Sequence, residues 1–157
     1  MTDDVASPNP EIANFIERYN LFESRSAALI PANKSALFAA LKDAEVSKVL
    51  VRFDGSGDSG QVEEVTAFGA DEIERDLPAI EVELTRLQFG QDEPVVCAQP
   101  VADAIETLAY DALAATHGGW ENNEGAYGDF TFDVAAEVIT LDYNERYETS
   151  EQFVHSF

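Results

Sequence analysis

The first third of the chain carries apolar residues at the spacing of two helices. Asn9 and Pro10 resemble a helix start, with a capping residue before a proline in the first turn. Helical spacing then continues through Ile12, Phe15, Ile16, Tyr19, Phe22, Ser26, Leu29 and Ile30. Pro31 is expected to end this helix, and a second helix is predicted from about Asn33 to Ala44. Its predicted inward positions are Leu37, Phe38 and Leu41.

After Ala44 the period changes to two, which indicates strands. Residues 46–53 and 62–68 flank a glycine-rich segment and predict a hairpin. A third strand is predicted at 80–87, because apolar and polar residues alternate there. Its predicted core-facing residues are Ile80, Val82 and Leu84. These strands together predict a meander with one solvated face.

The last third predicts a helix followed by another hairpin. Pro100 opens the most regular helix, whose apolar stripe is Val101, Ile105, Leu108, Ala109, Ala112, Leu113 and Thr116. Gly118 and Gly119 stop it. After a loop at 120–128, the two arms of a hairpin are Phe130, Phe132 and Val134, then Ile139, Leu141 and Tyr143.

Helices, then strands, then a helix and strands again indicate an α+β fold, since no βαβ alternation is present. We expect a twisted antiparallel sheet of about five strands, built from hairpins and packed by two or three helices. Residues 1–8 are predicted to be a disordered N-terminus, and residues 9–157 a single domain. A chain of 157 residues can bury an ordinary core without metals or disulfides.

Charge is the one extreme quantity: 31 acidic against 9 basic residues give a net charge of −22. Residues 1–50 contribute only −2, and the rest contribute −20. Such a field repels phosphate backbones and anionic lipid, so we expect no direct nucleic-acid binding and no membrane binding. A basic protein surface is the expected partner. The lone Cys97, and the lack of a signal peptide or an apolar span, favour the cytoplasm.

The segment at residues 57–60, Gly-Asp-Ser-Gly, has the letters that surround a trypsin-like nucleophile. Ser59 would need a histidine base, and the chain has only His117 and His155. Both follow the serine, whereas in trypsin-like proteases the histidine precedes it, and the chain is too short for two β-barrels. We therefore interpret the segment as a turn, in which Gly55, Gly57 and Gly60 supply positive φ angles. No catalytic residue is assigned.

Carboxylates in and after this turn raise the alternative of a divalent-metal site, because calcium prefers several oxygen ligands. The EF-hand pattern fails from Asp54, since serine occupies the glycine position and valine the final one. A site shared with the second loop stays open, with weak candidate ligands Asp54, Asp58, Glu63 and Glu121. Otherwise no cofactor is expected.

The second loop, THGGWENNEGAYGDFTFDV at 116–134, places two aromatic residues among acidic and amide groups, as recognition surfaces do. The predicted interaction surface is Asp54, Asp58, Trp120, Glu121, Asn122, Asn123 and Tyr127. The chain resembles an uncharacterised family of small acidic proteins of proteobacterial chromosomes, plasmids and prophages. The segments that carry the resemblance are FDGSGDSGQVEE at 53–64, ETLAYDALAATHGGWENNEGAYGDFTFDV at 106–134 and ITLDYNERY at 139–147. The resemblance spans roughly residues 33–157 and implies a mobile-element or accessory gene, but no activity.

The leading hypothesis is a non-enzymatic, acidic cytoplasmic interaction protein that presents a surface built from the two glycine-rich loops. One alternative is a metal-binding or hydrolytic site between the loops at 54–64 and 117–129. Another is a DNA mimic, whose carboxylates imitate phosphates and occupy a DNA-binding protein. Convergence of the two loops is the observation that would separate these hypotheses best.

Overall fold

The computed structural model describes residues 10–57, 59–122 and 124–157. The predicted disorder of residues 1–8 and the candidate residues Asp58 and Asn123 therefore lie outside the described residues. The helices described are α1 (Pro10–Ala28), α2 (Ile30–Asp43) and α3 (Val101–Thr116). The strands described are β1 (Lys48–Ser56), β2 (Ser59–Phe68), β3 (Glu74–Arg75), β4 (Glu81–Arg86), β5 (Val95–Pro100), β6 (Ala126–Asp133) and β7 (Val138–Glu145).

Five strands form one antiparallel sheet in the order β3-β2-β1-β6-β7. The two hairpins predicted from the sequence, β1-β2 and β6-β7, are both present and lie side by side through the β1-β6 pairing. The predicted α+β class and five-stranded antiparallel sheet are therefore confirmed.

The strand predicted at 80–87 exists as β4, but its predicted place in the meander is wrong. It pairs with β5 in a separate two-stranded sheet, and the short β3 takes the place beside β2. Val82 and Leu84 are buried as expected, whereas Ile80 precedes the strand and is exposed. Strand β5 was not predicted, because it follows Pro94, ends at Pro100 and has no alternation of apolar and polar residues.

The core lies between the inner face of the large sheet and helices α2 and α3. Phe38 of α2 packs edge-on against Phe132 of β6, with ring centroids 6.1 Å apart. The predicted α3 stripe is buried at Val101, Ile105, Leu108, Ala109 and Leu113. Thr116 at the end of α3 is exposed, and Ala104 is buried in addition to the predicted stripe.

The first two helices meet earlier than the sequence predicts. Helix α2 begins at Ile30, so Pro31 lies in its first turn rather than ending the preceding helix. Asn33, predicted as the helix start, is instead buried inside α2. Its amide donates to the carbonyl of Thr85 at 2.9 Å and accepts from the Thr85 N–H at 2.8 Å. A single side chain thus completes the hydrogen bonds of one residue of β4.

Helix α1 stands apart from this core, because none of its residues is buried. Its aromatic residues Phe15, Tyr19 and Phe22 gather around Phe89, with ring centroids 5.4 to 5.7 Å from it. Arg25 donates to the backbone carbonyl of Asp92 at 2.6 Å. The apolar face predicted for this helix exists, but most of it faces solvent. Among the described residues, no helix combines the length and apolar character needed to cross a bilayer.

Candidate functional site: two glycine-rich loops around Trp120

The first glycine-rich segment is the end of the β1-β2 hairpin. Pairing continues to Gly55 opposite Gly60 and Ser56 opposite Ser59. The predicted hairpin is confirmed, whereas the predicted connection from Asp54 to Gly60 is too long, because most of that segment is paired strand. Ser59 is exposed, and no hydrogen bond within the described residues joins it to a histidine. His117 instead stacks on Tyr143, with ring centroids 3.6 Å apart.

The glycines of this hairpin serve a different purpose from the one predicted. Only Gly57 has a positive φ, of 58°. A Cβ on Gly55 would stand 2.5 Å from Cζ3 of Trp120, and one on Gly60 would stand 2.5 Å from its Cη2. Both approaches are far closer than side chains make, so these two positions are glycine because the indole lies against the backbone. The interpretation of Gly55 and Gly60 as positive-φ residues is wrong.

A β-bulge interrupts the β1-β2 pairing between Arg52 and Phe53, which leaves Glu63 without an opposite residue. Next to this bulge, the backbone N–H of Val62 donates to the hydroxyl of Tyr110 on α3 at 2.8 Å. The hairpin is therefore anchored to the helix that leads into the second loop.

The second loop is folded by its own backbone. The N–H of Asn122 donates to the carbonyl of Gly119, and the N–H of Gly125 donates to the carbonyl of Asn122, both at 3.0 Å. Gly125 has a φ of 83°, and a Cβ there would meet the carbonyl oxygen of Gly55 at 1.8 Å. The two glycine-rich loops therefore converge in direct backbone contact.

Trp120 is the centre of this contact and is only 9% exposed. Its ring packs edge-on against Phe53, with centroids 5.3 Å apart. The sequence offered Trp120 as part of a recognition surface. In the structure its indole lies beneath that surface, where it sets the relative position of both loops.

Arg146 joins the two loops on their outer side. The sequence did not identify it as a candidate residue. Its guanidinium donates to both carboxylate oxygens of Asp54 at 3.0 Å, to the carbonyl of Gly55 at 3.2 Å and to that of Ala126 at 3.4 Å. It also lies over the ring of Tyr127, 4.6 Å from the centroid. One sequence signal pointed to it: between positions 101 and 157, Arg146 is the single residue that is lysine or arginine.

Beside Arg146 lies a polar cleft of about 420 Å³, lined by residues that include His117, Asn122, Glu124, Tyr143 and Glu145. The Tyr143 hydroxyl donates to a carboxylate oxygen of Glu145 at 3.5 Å. Burial raises the pKa of Tyr143, and the charges of Glu145 and Glu121 raise it further. The phenol of Tyr143 therefore keeps its proton to a higher pH than a solvated tyrosine does.

The solvated face of the sheet continues this acidic character across four strands. One row of opposed residues is Glu64, Arg52, Asp129 and Asp142, and the next is Gln61, Asp54, Tyr127 and Asn144. Arg52 pairs with Glu64 at 3.0 Å. Asp129 and Asp142 stand directly opposite each other, and both are exposed. We name the outward residues Asp54, Glu64, Tyr127, Asp129 and Asp142 the acidic sheet face.

The structure brings together most of the described candidate residues. Asp54 and Tyr127 are cross-strand partners, and Cβ of Glu121 lies 2.9 Å from a Cβ built on Gly60. Asn122 is exposed at the loop rim. Glu63 is exposed at the bulge and accepts a hydrogen bond from the Gln61 amide at 3.3 Å.

As metal ligands, the same carboxylates are arranged less favourably. Both oxygens of Asp54 already accept hydrogen bonds from Arg146. Within the described ranges, no three His, Cys, Asp or Glu side chains group as ligands of one metal ion would. Asp58 lies outside those ranges, so the metal hypothesis stays a prediction.

The chain belongs to a family of unknown function (DUF6878), which matches residues 29–157. Helix α1 lies outside this match, and both glycine-rich loops and Arg146 lie within it. The expectation of an uncharacterised family is thereby confirmed. Comparison with curated proteins and with solved structures gave no match.

Proposed function

We propose that this protein is a non-enzymatic interaction protein whose acidic sheet face binds a basic segment of a partner protein. The observation that carries the proposal is the pair Asp129 and Asp142, exposed and directly opposite on neighbouring strands. Like charges in that position repel each other, and the repulsion lowers the stability of the sheet. A guanidinium or ammonium group placed between them would remove that repulsion.

The neighbouring row supports this choice of partner chemistry. There, the chain's own Arg146 binds a carboxylate, two carbonyls and a tyrosine ring. Arginine is suited to such bidentate and stacked contacts. A partner arginine beside Asp129 would find the same chemistry, with Tyr127 exposed next to it. The Trp120 packing holds the loops that border this face, so little order is lost on binding.

An oligoarginine peptide tests the proposal without knowledge of the natural partner. Amide NMR spectra of the isotope-labelled protein should change on the outward residues of β1, β6 and β7. We expect the double variant Asp129→Asn, Asp142→Asn to bind about two- to thirtyfold more weakly, since each exposed ion pair contributes about 0.2 to 1 kcal/mol. Binding should also weaken as salt is added, because ions screen charges beyond about 10 Å at 0.1 M.

The matched control removes the same charge from the other sheet. Glu81 and Glu83 are exposed carboxylates on β4, so Glu81→Gln, Glu83→Gln also changes the net charge by two. If both double variants weaken binding equally, the peptide responds only to net charge and the proposed site is wrong. A natural partner should be a basic protein that is retained by the wild type and the control, and lost with the Asp129 and Asp142 variant.

In the DNA-mimic alternative the same acidic sheet face binds its partner, and the partner is restricted to DNA-binding proteins. If the partner is a DNA-binding protein, duplex DNA should displace this chain from it in competition. The resemblance to proteobacterial plasmid and prophage proteins supports a bacterial cytoplasmic setting for either case. Failure of DNA to compete would leave a basic protein of another class as the proposed partner.

A further inference from the structure

The apolar residues of helix α1 are typical of a helix that packs on two sides. The rest of the chain covers only one of these sides. Ile12, Phe15, Ile16 and Tyr19 follow the spacing of a single apolar stripe and are 43% to 56% exposed. On the adjoining side, Phe15, Tyr19 and Phe22 contact Phe89. An isolated helix of 19 residues is only marginally stable in water, and most helical stability in proteins comes from packing of the apolar face. Phe89 therefore covers only one edge of the stripe, at Phe15 and Tyr19, and the rest of it, with Ile12 and Ile16, stays exposed.

The core of the protein does not need α1. The cluster of buried residues begins at Leu37 and contains no residue of this helix. The family match also begins after it, at residue 29. A helix that adds nothing buried to the core, yet carries four large apolar side chains, has its apolar stripe available for a separate contact.

We propose that the exposed stripe of α1 packs against α1 of a second copy of this chain, forming an antiparallel dimer. The distribution of charge along the chain favours a second copy as the occupant of the stripe. Two chains of net charge −22 repel each other through most of their surface, but residues 1–50 carry only −2. Helix α1 itself holds three glutamates and two arginines, so it is the region where two copies approach with least repulsion. The net charge disfavours an anionic membrane as the occupant.

The antiparallel direction follows from the same charges. The strongly acidic part of the chain is attached at the C-terminal end of α1. Phe89 also contacts α1 from Phe15 to Phe22, so each acidic part lies beside its helix from Phe15 onward. Parallel helices would place both acidic parts side by side, whereas antiparallel helices displace them in opposite directions along the helix axis and so lower their repulsion. With the stripe centred near Ile16, Ile12 of one copy would face Tyr19 of the other.

The available area sets the expected strength. Four half-exposed side chains offer roughly 400 Å² of apolar surface on each copy, which is within the range of functional patches. With their polar rim, the two helices would bury on the order of 1,000 Å² in total, close to the lower limit of specific interfaces. We therefore expect a concentration-dependent dimer with a dissociation constant in the micromolar range.

Sedimentation equilibrium of the full chain tests this dimer. The wild type should pass from monomer to dimer across the micromolar range, and added salt should favour the dimer by screening repulsion. The variant Ile16→Asp should raise the dissociation constant at least tenfold. Leu21→Asp is the matched control, because Leu21 is equally exposed but lies about 140° from Ile16 around the helix axis, and it should leave the dimer intact. Circular dichroism should show that both variants stay folded.

Cysteine cross-linking in a Cys97→Ser background tests the direction. Near the centre of an antiparallel stripe, Ile16→Cys should link to its own copy, whereas Ile12→Cys should not. A stronger link through Ile12→Cys would indicate parallel helices and overturn the arrangement. A wild type that stays monomeric at millimolar concentration, or that binds neutral phosphatidylcholine vesicles through α1 instead, would overturn the dimer itself. The test is independent of the proposed function, since salt should weaken oligoarginine binding and strengthen the dimer.

Discussion

Arg146 binds both carboxylate oxygens of Asp54 at 3.0 Å, although 92 positions separate the two residues in the chain. The same guanidinium reaches carbonyls at the end of β1 and at the start of β6. The backbone N–H of Arg146 donates to the carbonyl of Gly125 at 2.9 Å. One residue thus joins the first loop, the second loop and the segment after β7.

We predict that Arg146→Ala lowers the free energy of unfolding by about 1 to 2 kcal/mol. The side chain is partly exposed, so each ion pair contributes little, but several contacts are lost together. Arg146→Lys should recover only part of this loss, because an ammonium cannot make the bidentate contact. Urea unfolding measures both effects. As a control, Arg52→Ala breaks the more exposed Arg52 to Glu64 pair and should cost less than about 0.5 kcal/mol. Equal costs for the two alanine variants would contradict the fastening role.

A second prediction concerns the glycine that lies against the indole. Gly60→Ala should destabilise the fold by about 1 to 3 kcal/mol, because the new methyl group would overlap Trp120. The protein has one tryptophan, so a change in its fluorescence should accompany the loss of stability. Trp120→Phe combined with Gly60→Ala should cost less than the sum of the single variants, since the overlap is relieved.

Gly118→Ala is the control for that prediction. A Cβ there would stand 3.6 Å from its nearest neighbour, an ordinary contact, and the φ of Gly118 is not positive. Its unfolding midpoint should match that of the wild type. If Gly60→Ala were equally neutral, the indole would not lie against the hairpin as described.

These two predictions show where the sequence was informative and where it was not. Periodicity predicted α3 because its apolar residues recur at helical spacing. It predicted both hairpins because residues of β1 and β6 alternate between buried and outward positions. Periodicity could not predict which strand pairs with β4, because an alternating pattern shows that one face is buried but not which elements lie beside or over it. Glycine content predicted turns at Gly55 and Gly60. A position against which a distant side chain packs closely also requires glycine, and the sequence does not distinguish this requirement, imposed here by Trp120, from that of a turn.

The candidate site was predictable in part for a related reason. Asp54, Glu121 and Tyr127 stood out because they lie within unusual loops. Tyr143 lies in β7 and Arg146 just beyond it, where aromatic and charged residues are common. Their roles depend on long-range pairing that no local pattern records. Asp142 was likewise an ordinary outward residue until strand register placed it opposite Asp129.

The third prediction concerns the ionisation of Tyr143. Burial and the charges of Glu145 and Glu121 raise its pKa, so the folded state holds the phenolic proton more tightly than the unfolded state, whose pKa is near 10. This contribution to stability is complete below the unfolded pKa and is lost as pH rises through the folded pKa. Unfolding free energy should therefore fall more steeply above about pH 10 in the wild type than in Tyr143→Phe. Glu145→Gln should lower the pKa of Tyr143 in an NMR titration of labelled tyrosine, and a pKa unchanged by this variant would contradict the assigned cause.

The last prediction decides whether the two loops form a metal site. Asp54 is engaged by Arg146, so the remaining described candidates, Glu63 and Glu121, offer too few free carboxylates to hold calcium, magnesium or manganese. We expect millimolar amounts of each ion to raise the melting temperature only slightly, and by similar amounts, through screening of the net charge of −22. A true site would stabilise the folded state by about 2.7 kcal/mol at a hundredfold excess over the dissociation constant, which is several degrees for a chain of this size. A large shift with one ion, absent at equal ionic strength of NaCl and lost in Glu121→Gln but not in Glu81→Gln, would establish the metal site against our expectation.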